Sequence, residues 1–326
     1  MQSVLEIDHM SIDFDTGRAP VHVLRDISLT VPAGEIVGIV GESGSGKSTL
    51  ALAIMRLLSG NARVTAGRII FDDKDILKLT EDAMREIRGR RIAMVFQDPM
   101  TSLNPVRSIG RQMLDIQRHG ADGNTASKRS KAAAVLKRVG IPDADQQLDN
   151  YAFQFSGGMR QRIAIAMGMI EKPEILIADE VTTALDVTLE AQILHLLREL
   201  RDEIGCAILF ISHNLGAVAE LCDRVLVLYA GEVVEQGPIT DIFYRPQHPY
   251  SRALIACDPA RISEVTRDLP VIAGEVPNLA AIPRGCIFSP RCTLASDLCH
   301  REAPAMFEVG NGHFARCHFA EAVAPR

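Results

Sequence analysis

No apolar run in this 326-residue chain approaches the length that crosses a bilayer; the longest candidates, such as 207–211, are strand-sized. The first ten residues lack the basic and apolar stretches of a secretory signal peptide. These absences predict a soluble, cytosolic chain that docks on a membrane protein at most. Positive charge is not in excess: 35 Lys and Arg stand against 41 Asp and Glu, a formal net charge of −6. No bulk electrostatic attraction to nucleic acid is therefore expected. Tryptophan is absent, and the chain shows no internal repeat and no low-complexity segment. What remains is globular in composition, 47% hydrophobic and 23% charged, and long enough for two domains or one large one.

The most informative stretch is Gly41-Glu42-Ser43-Gly44-Ser45-Gly46-Lys47-Ser48-Thr49, which fits the phosphate-binding pattern G-x-x-x-x-G-K-[ST] without a mismatch. Glycines let successive backbone N–H groups point into one concavity and cradle phosphate oxygens. Lys47 would reach the β- and γ-phosphates, and the Ser48 hydroxyl would hold Mg²⁺. The context agrees. Residues 36–40 read as a buried parallel strand, and residues 50–58 as a largely buried helix whose N-terminus favours anions. A glycine-rich turn could match by chance, but the flanking strand and helix argue against that. The loop by itself implies a nucleoside triphosphate and nothing finer.

Along the chain, residues 4–14 and 21–31 alternate apolar and polar as half-buried strands do, with a turn-rich break at 15–20. Further strands are expected at 68–72, 91–96, 174–180 and 207–212, and a hairpin at 224–229 and 232–236 across Ala230-Gly231. Helices are expected at 80–90, 107–119, 127–139, 159–170 and 189–201, with a loop at 120–124. Residues 106–150 read as a helical insertion in an α/β domain. Strands alternating with helices predict a mainly parallel sheet. Beyond residue 245 prolines punctuate the chain, and a small irregular extension is expected.

A phosphate-loop ATPase needs an acid for Mg²⁺ and a group that orients the attacking water. Asp179, ending the apolar run 175–178, suits the first role, and Glu180 the second as general base. An ordinary acidic loop would contain the same two residues. The order of motifs decides: Gln97 after a strand, then Phe155-Ser156-Gly157-Gly158-Met159, Asp179-Glu180, Ala184-Leu185-Asp186 and His213. This order resembles the nucleotide-binding subunits of ABC transporters over residues 4 to about 245. The resemblance implies an ABC ATPase core with an antiparallel β subdomain and a helical subdomain at about 100–170. It implies two subunits sandwiching two ATP molecules, each phosphate loop facing the other subunit's Ser156-Gly157-Gly158 signature. It also implies that Gln97 touches Mg²⁺ or the water and signals to a membrane subunit. Asp186 would contact the opposite subunit, His213 would hold the γ-phosphate, and Phe14 would stack on adenine. A core aromatic at a strand end is the alternative for Phe14. Two residues depart from the family pattern: Val181 stands where proline is usual and Asn214 where aspartate is. Val181 puts the turn that aims Glu180 in question.

The segment 245–254, Arg-Pro-Gln-His-Pro-Tyr-Ser-Arg-Ala-Leu, resembles the one that follows the ATPase core in ABC importers of peptides and nickel. The chain thus divides into an ATPase domain at 1–245 and an extension at 246–326. The extension carries Cys286, Cys292, Cys299 and Cys317 at C-x₅-C-x₆-C-x₁₇-C spacing. In a reducing compartment such a set is more often a metal site than disulfides. Four thiolates suit zinc or an iron–sulfur cluster. The spacing matches neither the tight zinc pairs nor the common ferredoxin runs, so the residues alone leave both open, with unmetallated thiols a third reading. Resemblance to dipeptide and oligopeptide importers favours a [4Fe–4S] cluster, with zinc the alternative. His300, His313 and His318 are read as neighbours rather than ligands.

The resemblance implies an ATP-hydrolysing subunit, using ATP and Mg²⁺, that powers import of dipeptides or oligopeptides. Its implied partners are a second ATPase subunit (identical or a paralogue), two transmembrane permease subunits and an extracytoplasmic solute-binding protein. Its implied place is peripheral, on the cytoplasmic face of the inner membrane, with no nucleic-acid partner. Nickel and glutathione fit the same architecture, because the solute does not touch this subunit. A soluble ABC ATPase of repair or translation would bring coiled-coil insertions, tandem units or basic surfaces. An iron–sulfur redox enzyme switched by ATP would bring a second cofactor motif. The sequence contains neither set of features.

Overall fold

The computed structural model describes residues 3–98, 102–117, 124–183, 185–258, 269–310 and 312–320. Ala184 and residues 118–123, which carry part of an expected motif and the expected inter-helix loop, lie outside them. The chain divides into two compact units, Met1–Lys78 with Phe210–Arg326, and Leu79–Leu209.

The first unit opens with β1 (Ser3–Phe14) and β2 (Val21–Pro32), paired antiparallel. Their apolar alternation is not continuous. Leu5 and Ile7 are buried, then the phase slips and Met10 and Ile12 are buried. The slip sits at His9, where φ is 48°, and β2 does the same at Asp26, where φ is 51°. Each is a bulge that keeps one face apolar across a shift of register. β3 (Ile36–Val40) is buried along its whole length, as a strand covered on both faces must be. It feeds the phosphate loop and α1 (Lys47–Ile54). The helix stops four residues before the expected 58. Arg56 takes a left-handed φ of 49°, and the Leu57 N–H turns back to the Leu52 carbonyl at 2.8 Å. β4 (Ala62–Phe71) is longer than the expected 68–72. Its first half is exposed and is held by pairing with β1, Phe14 opposite Ala62, which no hydrophobic pattern announces. β5 (Lys74–Asp75) completes an antiparallel sheet in the order β2-β1-β4-β5.

The second unit holds α2 (Glu81–Ile87) and β6 (Ile92–Val95). Then come α3 (Ile109–Ile116), α4 (Thr125–Arg138) and α5 (Gly157–Met169). β7 (Ile175–Asp179) pairs parallel with β6, and α6 (Val187–Ile204) follows. Side-chain caps set most of the helix starts: Thr80, Ser108, Asn124, Ser156 and Asp186 each accept a backbone N–H of the first turn. Gly205, at φ 75°, ends α6.

β8 (Ala207–Ile211) is wholly buried. In the first unit α7 (Leu215–Leu221) lies so close on β3 that a Cβ on Gly38 would meet Val218 Cγ1 at 2.9 Å. β9 (Arg224–Tyr229) pairs parallel with β3 and antiparallel with β10 (Glu232–Pro238). The expected hairpin turn is there, with Ala230 and Gly231 both at positive φ as a two-residue hairpin loop demands.

The extension is more regular than its prolines suggest. Just before it, α8 (Ile239–Tyr244) follows the hairpin; within it lie α9 (Pro249–Ala256) and α10 (Asp297–Arg301), which precedes two short strands. β11 (Phe307–Gly310) pairs with β12 (His313–Ala315), and β12 pairs with β10, Glu235 opposite Ala315. Parallel pairs are present, as the alternation of strands and helices predicts, but β7 pairs with β6 and the phosphate-loop strand β3 with β9; antiparallel strands of the extension widen the sheet. Glu235, fully buried, anchors this addition. Its carboxylate accepts the Gln247 and His248 N–H groups at 2.6 and 3.0 Å and meets His313 Nε2 at 2.7 Å.

Candidate functional site

In the first unit the phosphate loop spans β3 and α1. Gly41 has a φ of 152°, and a Cβ there would lie 2.0 Å from the Leu228 carbonyl oxygen. Gly46, at φ 103°, would set a Cβ 2.5 Å from Leu24 Cδ2. Both positions therefore admit only glycine. Lys47 is buried, and its Nζ donates to the Gly41 and Glu42 carbonyls at 2.8 and 3.1 Å, at the centre of the loop. Ser45 is buried with its Oγ unpartnered, an orphaned polar group inside a phosphate-sized turn. Ser43 and Gly44 are exposed, Ser48 is exposed and Thr49 half-buried on the first turn of α1. The loop thus offers an ammonium group, a spare hydroxyl and a helix N-terminus, the set that takes phosphate oxygens.

His213 is exposed and follows β8; the Ser212 N–H before it bonds the Ile39 carbonyl at 3.2 Å, on the strand that feeds the loop. Asn214, in place of aspartate, caps α7 by accepting the Ala217 N–H at 3.2 Å. Phe14 is half-buried at the end of β1, opposite Val21 and Ala62.

The extension reaches the phosphate loop itself. Arg291 donates from Nη1 and Nη2 to the two Glu42 carboxylate oxygens at 2.7 and 3.1 Å. The Tyr250 hydroxyl accepts the Glu42 N–H at 2.9 Å. The carboxylate raises the Arg291 pKa further above its already high value, so the guanidinium stays charged. Neither Arg291 nor Tyr250 stood out in the sequence. The only signal was that both lie in the two extension segments that carry the resemblance, 245–254 and 286–292.

Cys286, Cys292, Cys299 and Cys317 line one cavity together with His248 and Phe288. Backbone is drawn in tightly around them: the Cys286 N–H bonds the Cys299 carbonyl at 2.8 Å, and a Cβ on Gly285 would meet that same oxygen at 2.1 Å. The Phe319 N–H points at Cys317 Sγ at 3.4 Å, and Ser296 Oγ lies 3.6 Å from Cys299 Sγ. Burial pushes the Cys286 thiol up to about 11, and the three other cysteines add to the shift. Burial likewise raises Cys292 and Cys317. As bare thiols these groups resist ionisation; a cationic centre would reverse that. Among the described residues no three His, Cys, Asp or Glu side chains converge as the ligands of one ion do. The donors are four thiols lining one cavity, a set that either zinc or an iron–sulfur cluster takes as thiolates.

Burial also lowers the pKa of His248 to about 4. Its Nδ1 accepts the Tyr250 N–H at 3.0 Å, which fixes a neutral ring with the proton on Nε2.

In the second unit Gln97 and Glu180 meet. Gln97 Nε2 donates to Glu180 Oε2 at 2.7 Å, and the Thr183 hydroxyl adds a bond at 3.3 Å to the same oxygen. Asp179, just before, is buried at the end of β7. Glu180 has a φ of 49°, a conformation that costs a non-glycine residue about 1–3 kcal/mol and that gathers at functional sites. Val181, where the family usually has proline, lies inside this turn. It is buried, and the Thr183 and Leu185 N–H groups close the backbone onto Glu180 and Thr182.

The signature residues open α5. Ser156 Oγ caps the helix by accepting the Met159 N–H at 3.3 Å, and Gly157 is exposed with open space at its Cβ position. Gly158 is buried, and a Cβ there would lie 2.3 Å from Leu189 Cδ2. Asp186 is exposed and accepts the Leu189 N–H at 2.9 Å as the cap of α6. Leu189 thus ties the signature turn to Asp186 within one unit.

Comparison with known proteins agrees with this arrangement. Residues 24–183 match the ABC transporter family, and residues 234–299 match the oligopeptide/dipeptide transporter C-terminal region. A probable peptide ABC transporter ATP-binding protein, y4tR of Sinorhizobium fredii, is 47% identical over 96% of this chain and 94% of its own. The dipeptide transport ATP-binding protein DppD of Escherichia coli is 43% identical over 97% of each chain. Among solved structures, the ATP-binding cassette MJ0796 in a dimeric post-hydrolysis state with ADP and Pi superposes with a TM-score of 0.64 at 28% identity. That match covers 72% of this chain and 98% of the cassette. With the loop, the strand-end acids and the C-terminal region all accounted for, the chain belongs to the family of ATP-binding proteins of peptide ABC transporters.

Proposed function

We propose that this chain is the ATP-hydrolysing subunit of a peptide importer. It binds ATP with Mg²⁺ at the phosphate loop and turns hydrolysis into transport of dipeptides or oligopeptides. The observation that carries the reading is the pairing of Gln97 with Glu180 in a chain whose relatives bear peptide-transport names. Lys47 and the loop N–H groups bind the β- and γ-phosphates. Ser48, Asp179 and Gln97 would hold Mg²⁺ with their oxygen donors, and when bound it would supply positive charge to the phosphates. Glu180 holds the attacking water and accepts its proton, and the Gln97 amide fixes the carboxylate for that task. His213 binds the γ-phosphate, and Phe14 lies against the adenine.

Ser156, Gly157 and Gly158 serve the ATP of a second ATPase subunit, identical or paralogous, with Asp186 at the same subunit boundary. A dimer is also the state described for the cassette of similar structure. Two transmembrane permease subunits and an extracytoplasmic solute-binding protein complete the assembly, and this chain sits peripherally on the cytoplasmic face of the inner membrane. No helix among the described residues is long and apolar enough to cross a membrane, which fits that peripheral place.

Within the extension at 246–326, Cys286, Cys292, Cys299 and Cys317 hold a [4Fe–4S] cluster. When bound, it would cross-link a segment with little core of its own and could exchange one electron. The test of the central reading is Glu180→Gln. It should abolish turnover and trap an ATP-bound dimer; undiminished hydrolysis would show that Glu180 is not the base.

A further inference from the structure

The guanidinium of Arg291 has five N–H donors, and all five are used. Two go to Glu42, at 2.7 and 3.1 Å; the others go to the Ala273 and Ile272 carbonyls and the Tyr229 hydroxyl, at 3.0, 2.9 and 3.2 Å. The Arg291 side chain is 4% exposed and that of Glu42 28%. A buried, fully satisfied cation from the extension is thus spent on the second residue of the phosphate loop, 249 positions away in sequence. From the other side, Tyr250 takes the Glu42 N–H. The two anchors stand on one aromatic cluster: Tyr229 and Tyr250 lie 4.5 Å apart between ring centres, and Phe288 packs edge-on against both. Phe288 also walls the cysteine cavity, and Arg291 directly precedes Cys292.

We propose that Arg291 and Tyr250 are positioning residues for nucleotide binding, holding the phosphate loop at Glu42 so that the C-terminal extension sets its affinity for ATP. This rests on reading residues 41–49 as the nucleotide loop. The physical reason is preorganisation. A glycine-rich loop has many conformations to lose on closing around phosphates, and a clamp on its outer side removes much of that cost beforehand. Glu42 is the handle: its carboxylate faces Arg291 and its N–H faces Tyr250, so both its side chain and its backbone are fixed from outside. The Lys47 ammonium group, bonded to the carbonyls of Gly41 and Glu42, is placed through the same residue.

The test is equilibrium binding of Mg·ATP to the full-length chain, by calorimetry, alongside thermal unfolding. Glu42→Gln and Arg291→Gln should each raise the Kd by about tenfold, the scale of a charge-assisted pair. The double variant should bind no worse than the weaker single, because both remove one contact. Tyr250→Phe should raise the Kd less, and Arg291→Lys should restore part of the loss. Glu42→Gln leaves the bonds of Arg291 to 272 and 273 in place, so it decides the matter even where Arg291→Gln fails to fold. Wild-type Kd in Glu42→Gln, or additive losses in the double variant, would overturn the proposal. A fall in melting temperature at unchanged Kd would do so too, as it would mark a purely structural contact. Lys47→Ala is the control for the underlying reading. If it binds ATP like the wild type, the loop is not the nucleotide site and the proposal falls with it.

Discussion

Gln97 and Glu180 are joined by a 2.7 Å hydrogen bond from Nε2 to Oε2, across 83 residues of sequence. One residue follows β6 and the other follows β7, two parallel strands in register from Ile92 with Ile175 to Val95 with Ala178. The sheet therefore sets the pair, and the left-handed backbone at Glu180 turns its carboxylate toward the amide.

Glu180→Gln keeps the size of the side chain and removes the base. ATP hydrolysis should fall by at least about 10²-fold, the scale of a lost general base. Size-exclusion chromatography with ATP should show a dimer that the wild type forms only transiently. Gln97→Ala should reduce turnover less, since it releases the carboxylate without removing it; phosphate release at saturating ATP measures both.

The two signature glycines should behave differently. Gly158→Ala would force a methyl against Leu189 Cδ2, 2.3 Å from the ideal Cβ, and overpacking of this kind costs about 1–3 kcal/mol. Gly157→Ala meets open space, so its melting temperature should stay near that of the wild type. Any loss of ATPase activity in Gly157→Ala then reports contact with nucleotide, whereas Gly158→Ala mixes it with lost stability. Thermal melts and ATPase rates of both variants separate the two effects.

How legible each feature was follows from how local it is. The strand that feeds the phosphate loop and the Ala230-Gly231 hairpin turn are written in contiguous residues, and the chain shows them where expected. The bulges at His9 and Asp26 were hidden because an aspartate or histidine at positive φ reads in sequence as a polar strand position. β12 is three residues long, too short for any periodicity, and its place is set by Glu235 on another strand. The Arg291 clamp was out of reach for the same reason: its partner lies far back in the chain, and an arginine among prolines and cysteines announces nothing.

The cysteine cavity predicts a coloured protein. Chain purified without air should carry iron and acid-labile sulfide in equal amounts, with broad visible absorbance, as expected of such clusters. Cys286→Ser or Cys317→Ser should lose both. One equivalent of zinc and no sulfide would assign the site to zinc instead.

Acid should weaken the extension. His248 is held neutral in the fold, its pKa lowered from 6.5 to about 4 by burial despite the nearby Glu235 carboxylate. Between those values the unfolded chain binds a proton that the folded chain does not, so stability falls as pH drops from 6.5 toward 4. The full effect is about 3 kcal/mol. His248→Asn, which can still accept the Tyr250 N–H, should flatten this part of the profile. Melting temperatures from neutral pH down to the acid end of that window, for the two proteins, supply the check.

If ATP bound at this chain drives peptide import, its loss must stop uptake. This is measured by uptake of a radiolabelled dipeptide or oligopeptide in cells deleted for this chain, with wild type and Lys47→Ala returned separately. Uptake should be restored by the wild type and absent with Lys47→Ala at equal protein level. Equal uptake with both would contradict the claim.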